Sequence, residues 1–96
     1  MINANEAREI TMTVVMDRFT AGRERAQEYY KFIDTLIKQN ASDGLYSIIL
    51  YPLRWLDSVY DETKRGFITE IRNTLTELKY KVTYTPDSGK LEIKWG

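Results

Sequence analysis

A chain of 96 residues has core enough for one compact domain, and its fourteen basic and fourteen acidic side chains leave no bulk attraction to a polyanion or an acidic membrane. It contains neither cysteine nor histidine, which removes disulfides, thiolate and imidazole nucleophile pairs, and the common zinc and haem ligand sets. No basic-then-apolar leader opens it and no apolar run approaches bilayer length, so an intracellular, soluble protein is expected, with no signal peptide or transmembrane segment.

The first element is helical. Asn3 followed by Glu6 has the spacing of a capping box, and Ile2 stands where a staple residue would meet Ala7. From about Ala4 to about Gln39 the residues Met12, Val15, Phe19, Gly22, Ala26, Tyr29, Ile33 and Leu36 recur at alternating threes and fours, a heptad seam of the coiled-coil kind. A single helix of that length would extend roughly 50 Å, longer than a small domain is wide, so part of it should project or find a partner. Gly22 is the weak point. An unbroken helix is the favoured reading, with Thr20-Ala21-Gly22 as the alternative break.

Asn40-Ala41-Ser42-Asp43-Gly44 is a dense stop signal, after which Leu45 to Tyr51 reads as a strand apolar on both faces. Pro52 ends it. Asp57 or Ser58 can cap a second helix, whose apolar stripe is Phe67, Ile68, Ile71, Leu75 and Leu78. From Lys79 to Trp95 a strict alternation places Tyr80, Val82, Tyr84, Leu91, Ile93 and Trp95 on one face of a hairpin, turned by Pro86-Asp87-Ser88-Gly89. The expected fold is α+β in the order α-β-α-β-β. It has a long N-terminal helix over 1–40 and a strand-helix-hairpin unit over 45–96, joined in a single domain. Helices should pack on one face of a three-stranded mixed sheet, because a strand-helix-strand link favours a parallel pair.

The run Ile68-x-x-Ile71-x-x-x-Leu75-x-x-Leu78-Lys79-Tyr80-Lys81-Val82, then a turn and Leu91-Glu92-Ile93-Lys94-Trp95, resembles a pattern in small tailed-phage proteins, where an opening like Asn3-Ala4-Asn5-Glu6-Ala7-Arg8-Glu9 accompanies it. The resemblance covers about half the chain. It implies phage origin and a virion or accessory role, with the host cytoplasm or the virion as location. Lys79 stands where the pattern has glycine, so the left-handed helix stop is expected to be missing.

Candidate chemistry is sparse. Asp57, Asp61 and Glu62 have the residue type for a cation or an acid–base pair, but capping and the helix dipole explain them better, and no catalytic, cofactor or metal residue is assigned. Arg23, Arg25, Lys31 and Lys38 with Tyr29 and Tyr30 combine charge with stacking rings, the chemistry of a nucleotide site, although neighbouring acids cancel much of the field. The seam is the stronger feature. Met12, Val15, Phe19, Ala26 and Tyr29 are the expected association surface, with Tyr51 and Trp55 as secondary contacts. These features favour a non-enzymatic protein that forms a homo-oligomer or joins other phage proteins. The alternative is a small module that counters host defence by gripping a host protein or sequestering a nucleotide; nucleic acid and membrane are not expected partners.

Overall fold

A computed structural model describes all residues from Met1 to Gly96. Helix α1 runs unbroken from Ala4 to Ser42, and the molecule measures 63 × 24 × 19 Å along its principal axes. Asn3 opens it: its Oδ1 accepts from the Glu6 N–H at 2.9 Å and its Nδ2 donates to Glu6 Oε1 at 3.0 Å. Gly44, at φ +83°, closes it, with the Leu45 N–H donating back to the Asn40 carbonyl and the Gly44 N–H to that of Ala41. These are the two bonds of a Schellman stop.

Strand β1 (Ser47–Leu50) follows, then the single turn α2 (Pro52–Trp55), helix α3 (Asp61–Glu77), and the hairpin of β2 (Lys81–Thr85) and β3 (Lys90–Lys94). Pro52 begins α2, where its missing N–H costs nothing. The expected caps Asp57 and Ser58 fall short of α3. Tyr60 occupies the N-cap with no side-chain bond, while Ser58 Oγ accepts from the Tyr60 N–H, and Asp61 and Glu62 place negative charge in the first turn.

The sheet is antiparallel throughout, in the order β1-β3-β2, which corrects the expectation of a mixed sheet. β1 and β2 do run in the same direction across α3, but β3 lies between them, with Ile93 opposite both Ile48 and Val82 and Leu91 opposite both Leu50 and Tyr84. The spacing explains the insertion. Two strands separated by a third lie about 10 Å apart, close to the width of the helix that links them, so α3 can span the gap without strain. Leu91 and Ile93, the most buried strand residues, take the central position. The two-sided apolar segment is therefore an edge strand, and Ile49 stays on the open face.

Both long helices cover the other face. They run in the same direction, as their paired residues climb together: Arg18 with Glu62, Arg23 with Glu70, Tyr30 with Thr74. At the crossing, Gly22 lies against the backbone of Thr63 and Phe67, and Gly66 lies against the backbone of Phe19. A Cβ on Gly22 would overlap the Thr63 carbonyl oxygen and sit 2.8 Å from the Phe67 nitrogen; one on Gly66 would overlap the Phe19 carbonyl oxygen. Below the crossing Ala26, Tyr29 and Ile33 meet Phe67, Ile71 and Leu75 above Ile48, Leu50, Leu91 and Ile93. Tyr29 is ringed by Phe32, Trp55 and Phe67 at 5.4, 5.0 and 5.4 Å between centroids, and burial pushes its phenol up to about 12.

The end of α3 departs from expectation. Lys79 takes φ +75°, its N–H donating to the Thr76 carbonyl and that of Tyr80 to the Leu75 carbonyl. The left-handed stop is thus present, made by a lysine where glycine fits best. The two backbone bonds and the seating of Tyr80 edge-on to Trp95, 6.3 Å away, hold it there.

Three outcomes follow from this packing. Gly22→Ala and Gly66→Ala each meet backbone that no rotamer can turn aside; each should cost about 1–3 kcal/mol net, although alanine is the better helix former by about 1 kcal/mol. In thermal melts that is a fall of at least about 4 °C. Lys79→Gly should do the reverse, raising stability by about 1 kcal/mol in the same assay. For Tyr29, a folded pKa raised from 10.0 to about 12 means its contribution is complete below pH 10 and is lost as pH rises towards 12, since the unfolded phenol ionises first. Denaturant titrations across that window should show stability falling, and Tyr29→Phe should flatten the fall.

Candidate functional site

Helix α3 begins beside Arg18, so the part of α1 ahead of that residue has no helix of its own domain to lie on. Here the seam continues into solvent. Met12 is 62% exposed and Met16, one turn on beside it, is 65% exposed, while Ile10 on the other side of the arm is 57% exposed. Val15 and Phe19 are half-buried where the arm meets the body, and with Met16, Thr20, Arg23, Glu62 and Arg65 they line a shallow groove of about 320 Å3. Contiguous apolar side chains on a projecting helix have no core to stabilise and leave their hydration shell only against another molecule.

The remaining seam residues lie elsewhere. Ala26 and Tyr29 are 0% and 1% exposed and belong to the monomer core, which takes them out of the expected association surface. The seam has one period throughout, but its second half is filled by α3 and the sheet. Trp55 is divided: one face stacks on Phe67 at 5.7 Å and 9° between planes, and Arg25 lies 5.1 Å from its ring. Tyr51 is exposed, with the Arg54 guanidinium 4.3 Å over its ring. Neither is joined to the arm, so the expected surface divides into an arm patch of Met12, Val15 and Phe19 and a separate aromatic patch.

Apart from Lys31, which has no ion pair, the basic and aromatic group on α1 is engaged within the protein. Arg23 Nε donates to Glu70 Oε2 at 2.9 Å, Arg25 Nε to Glu28 Oε2 at 2.9 Å, and Lys38 Nζ lies 2.8 Å from Asp34 Oδ2. The Tyr30 hydroxyl donates to the Glu70 carbonyl at 3.1 Å and shares a 2.7 Å hydrogen bond with the Thr74 hydroxyl. Charges satisfied in this way give little attraction to a phosphate. Arg18, 3.9 Å from Glu62, also covers the Tyr60 ring at 3.9 Å, and so pins the base of the arm to the start of α3.

The acidic candidates are dispersed likewise. Glu62 faces Arg18, Asp61 borders a groove on the far wall of α3, and Asp57 borders another beside Glu24 and Glu28. Sequence reasoning missed the first of these grooves, about 530 Å3 between α3 and the hairpin: its cations Lys64, Arg65 and Arg72 lie on one helix and read there as an ordinary solvated face, and only the fold sets Leu53, Tyr84 and Pro86 opposite them. No helix is long and apolar enough to cross a membrane.

In comparisons with known proteins, no family model, no curated protein and no solved structure matches this chain. The likeness to small tailed-phage proteins therefore rests only on the helix-and-hairpin motif and the opening from Asn3 to Glu9.

Proposed function

We propose that this is a contact protein: it associates with a second copy of itself through the N-terminal arm of α1 and acts as a non-enzymatic structural or assembly accessory protein of a tailed phage. The observation that carries the association is the arm itself, over residues 4–17, which exposes Ile10, Met12 and Met16 and leaves Val15 only half-buried at the start of α3. A second copy is favoured as the occupant for two reasons. The exposed stripe continues the seam that α1 already uses to pack a helix running alongside it, so a like helix has the right shape. The arm also carries both signs, Glu6, Glu9 and Asp17 with Arg8, so Arg8 of each copy can meet a carboxylate of the other. The phage assignment is supported by the motif of α3, β2 and β3 and by the opening from Asn3 to Glu9.

The arm has a physical reason to be covered. A stretch of about 14 residues is marginal as a free helix in water, and its chain includes Thr11, Thr13, Val14 and Val15, which lose side-chain freedom in a helix. Burial of Met12, Val15 and Met16 would add about 1.5–3 kcal/mol for each side chain fully covered. Sedimentation equilibrium should therefore give a mass of a dimer or larger at micromolar concentration. Met12→Asp with Val15→Asp should return it to the monomer, leaving the far-UV spectrum of the core in place. Hydrogen exchange of residues 4–17 should be slow in the oligomer and fast in the variant; a native chain that sediments at its monomer mass at all concentrations overturns the reading.

A further inference from the structure

The groove between α3 and the hairpin is lined by Lys64, Arg65, Thr69 and Arg72, with Leu53, Ile68, Tyr84 and Pro86 as its apolar walls and Asp61 as its one acid. The cations stand at positions one, two and nine of a helical stripe, a spacing that brings Lys64 and Arg72 to the same side of α3 two turns apart. None of the three takes part in an ion pair. On α1, by comparison, Arg18, Arg23, Arg25 and Lys38 have carboxylate partners, and only Arg8 and Lys31 do not. In a chain of zero net charge, the groove thus holds a local excess of two positive charges, unspent by the fold.

The geometry points to a site for a small phosphate-bearing organic molecule, of the size of a mononucleotide, with its phosphate on Lys64 and Arg72 and its flat body against Tyr84, Ile68 and Pro86. Two features select that class over a bare anion. The volume, about 530 Å3, is in the range of small-molecule sites and far exceeds one phosphate group. The walls opposite the cations are apolar and include an aromatic ring, which suits a planar heterocycle and gives nothing to an inorganic ion. Thr69 adds a hydroxyl between the cations. Tyr84 adds another, a phenol O–H that donates at neutral pH; burial raises its pKa and the nearby Arg72 charge lowers it in part. The groove is built by α2, α3 and the hairpin, with no residue from α1; Arg65 alone also borders the groove at the base of the arm, so the test relies on Lys64 and Arg72, which do not.

The test uses the full chain in low salt, with adenosine diphosphate, inorganic phosphate and adenosine as probes in calorimetry and thermal melts. Millimolar adenosine diphosphate should raise the melting temperature and give a saturable heat, phosphate should do so at least ten-fold more weakly, and adenosine should do neither. Lys64→Gln and Arg72→Gln should each weaken binding about ten-fold while leaving the ligand-free melt unchanged, because neither cation holds an ion pair. High salt should weaken it further. Three results would each overturn the proposal: no response to any probe at millimolar concentration, equal responses to phosphate and adenosine diphosphate, or a response that survives both substitutions. Should either variant melt early, Thr69→Val with Tyr84→Phe reads the same site through its neutral donors, and unchanged binding there together with unchanged binding in the folded cation variant counts against it.

Discussion

Two helices touch backbone to backbone where Gly22 meets Gly66, and the rest of the molecule is arranged around that contact. Side chains normally hold helix axes 8–10 Å apart; removing the Cβ from both partners lets the carbonyls of Thr63 and Phe19 take the vacated space. Each glycine costs about 1 kcal/mol as a helix residue, and the close approach offsets that by drawing the flanking Ala26, Tyr29, Phe67 and Ile71 into one cluster. The crossing also fixes the register of α1 on α3. Arg18 and Arg23 reach Glu62 and Glu70 on either side of it, and these pairs confirm the setting more than they stabilise it, since their guanidinium groups remain partly exposed.

Register has a consequence for the surface. Because α3 starts level with Arg18, α1 leaves the body within the turn before it, where Val15 is still half-buried, and a shift of one turn would bury a further Met12 or expose Phe19. The same register leaves the far side of α3 to face the hairpin across a gap that β2 and β3 do not fill, where Lys64 and Arg72 line one wall and Tyr84 the other. The glycine contact thus determines the length of the free arm, whose last patch residue, Phe19, meets Gly66 through its backbone, whereas the basic groove lies on the side of α3 away from that contact.

Local pattern carried much of this fold into the sequence. The alternation from Tyr80 to Trp95 marks the hairpin, the threes and fours of Phe67, Ile71 and Leu75 mark the buried face of α3, and Asn3 with Glu6 marks where α1 starts. What could not be read depends on residues distant in sequence. Gly22 and Gly66 each look like a flaw in a helix, and their fit appears only when both helices are in place. Lys79 hides a left-handed stop because the bonds that make it are backbone bonds, blind to side-chain identity. The order β1-β3-β2 is set by which strand is buried deepest, a property of the packed sheet. The site behaved alike: Met12, Val15 and Phe19 were legible as apolar seam, but nothing local separates them from Ala26 and Tyr29, whose partner is the chain's own third helix. Arg23 looked available because Glu70 lies 47 residues away.

The arm and its cover are thermodynamically one problem. A helix that begins free must meet the cost of nucleation, but residues 4–17 extend a helix already seated at the crossing, so each added residue meets only the near-neutral propagation step. Ala4, Glu6, Ala7, Arg8 and Glu9 lean towards helix, with Asn3 satisfying a terminal N–H, whereas Thr11, Thr13, Val14 and Val15 lean away. The balance lies near zero over the stretch that carries the exposed Met12 and Met16, and a few kilocalories of apolar burial decide it. Ordering of the arm and occupation of its stripe are then linked: whatever binds the helical form stabilises it by mass action, and a rise in protomer concentration strengthens both together.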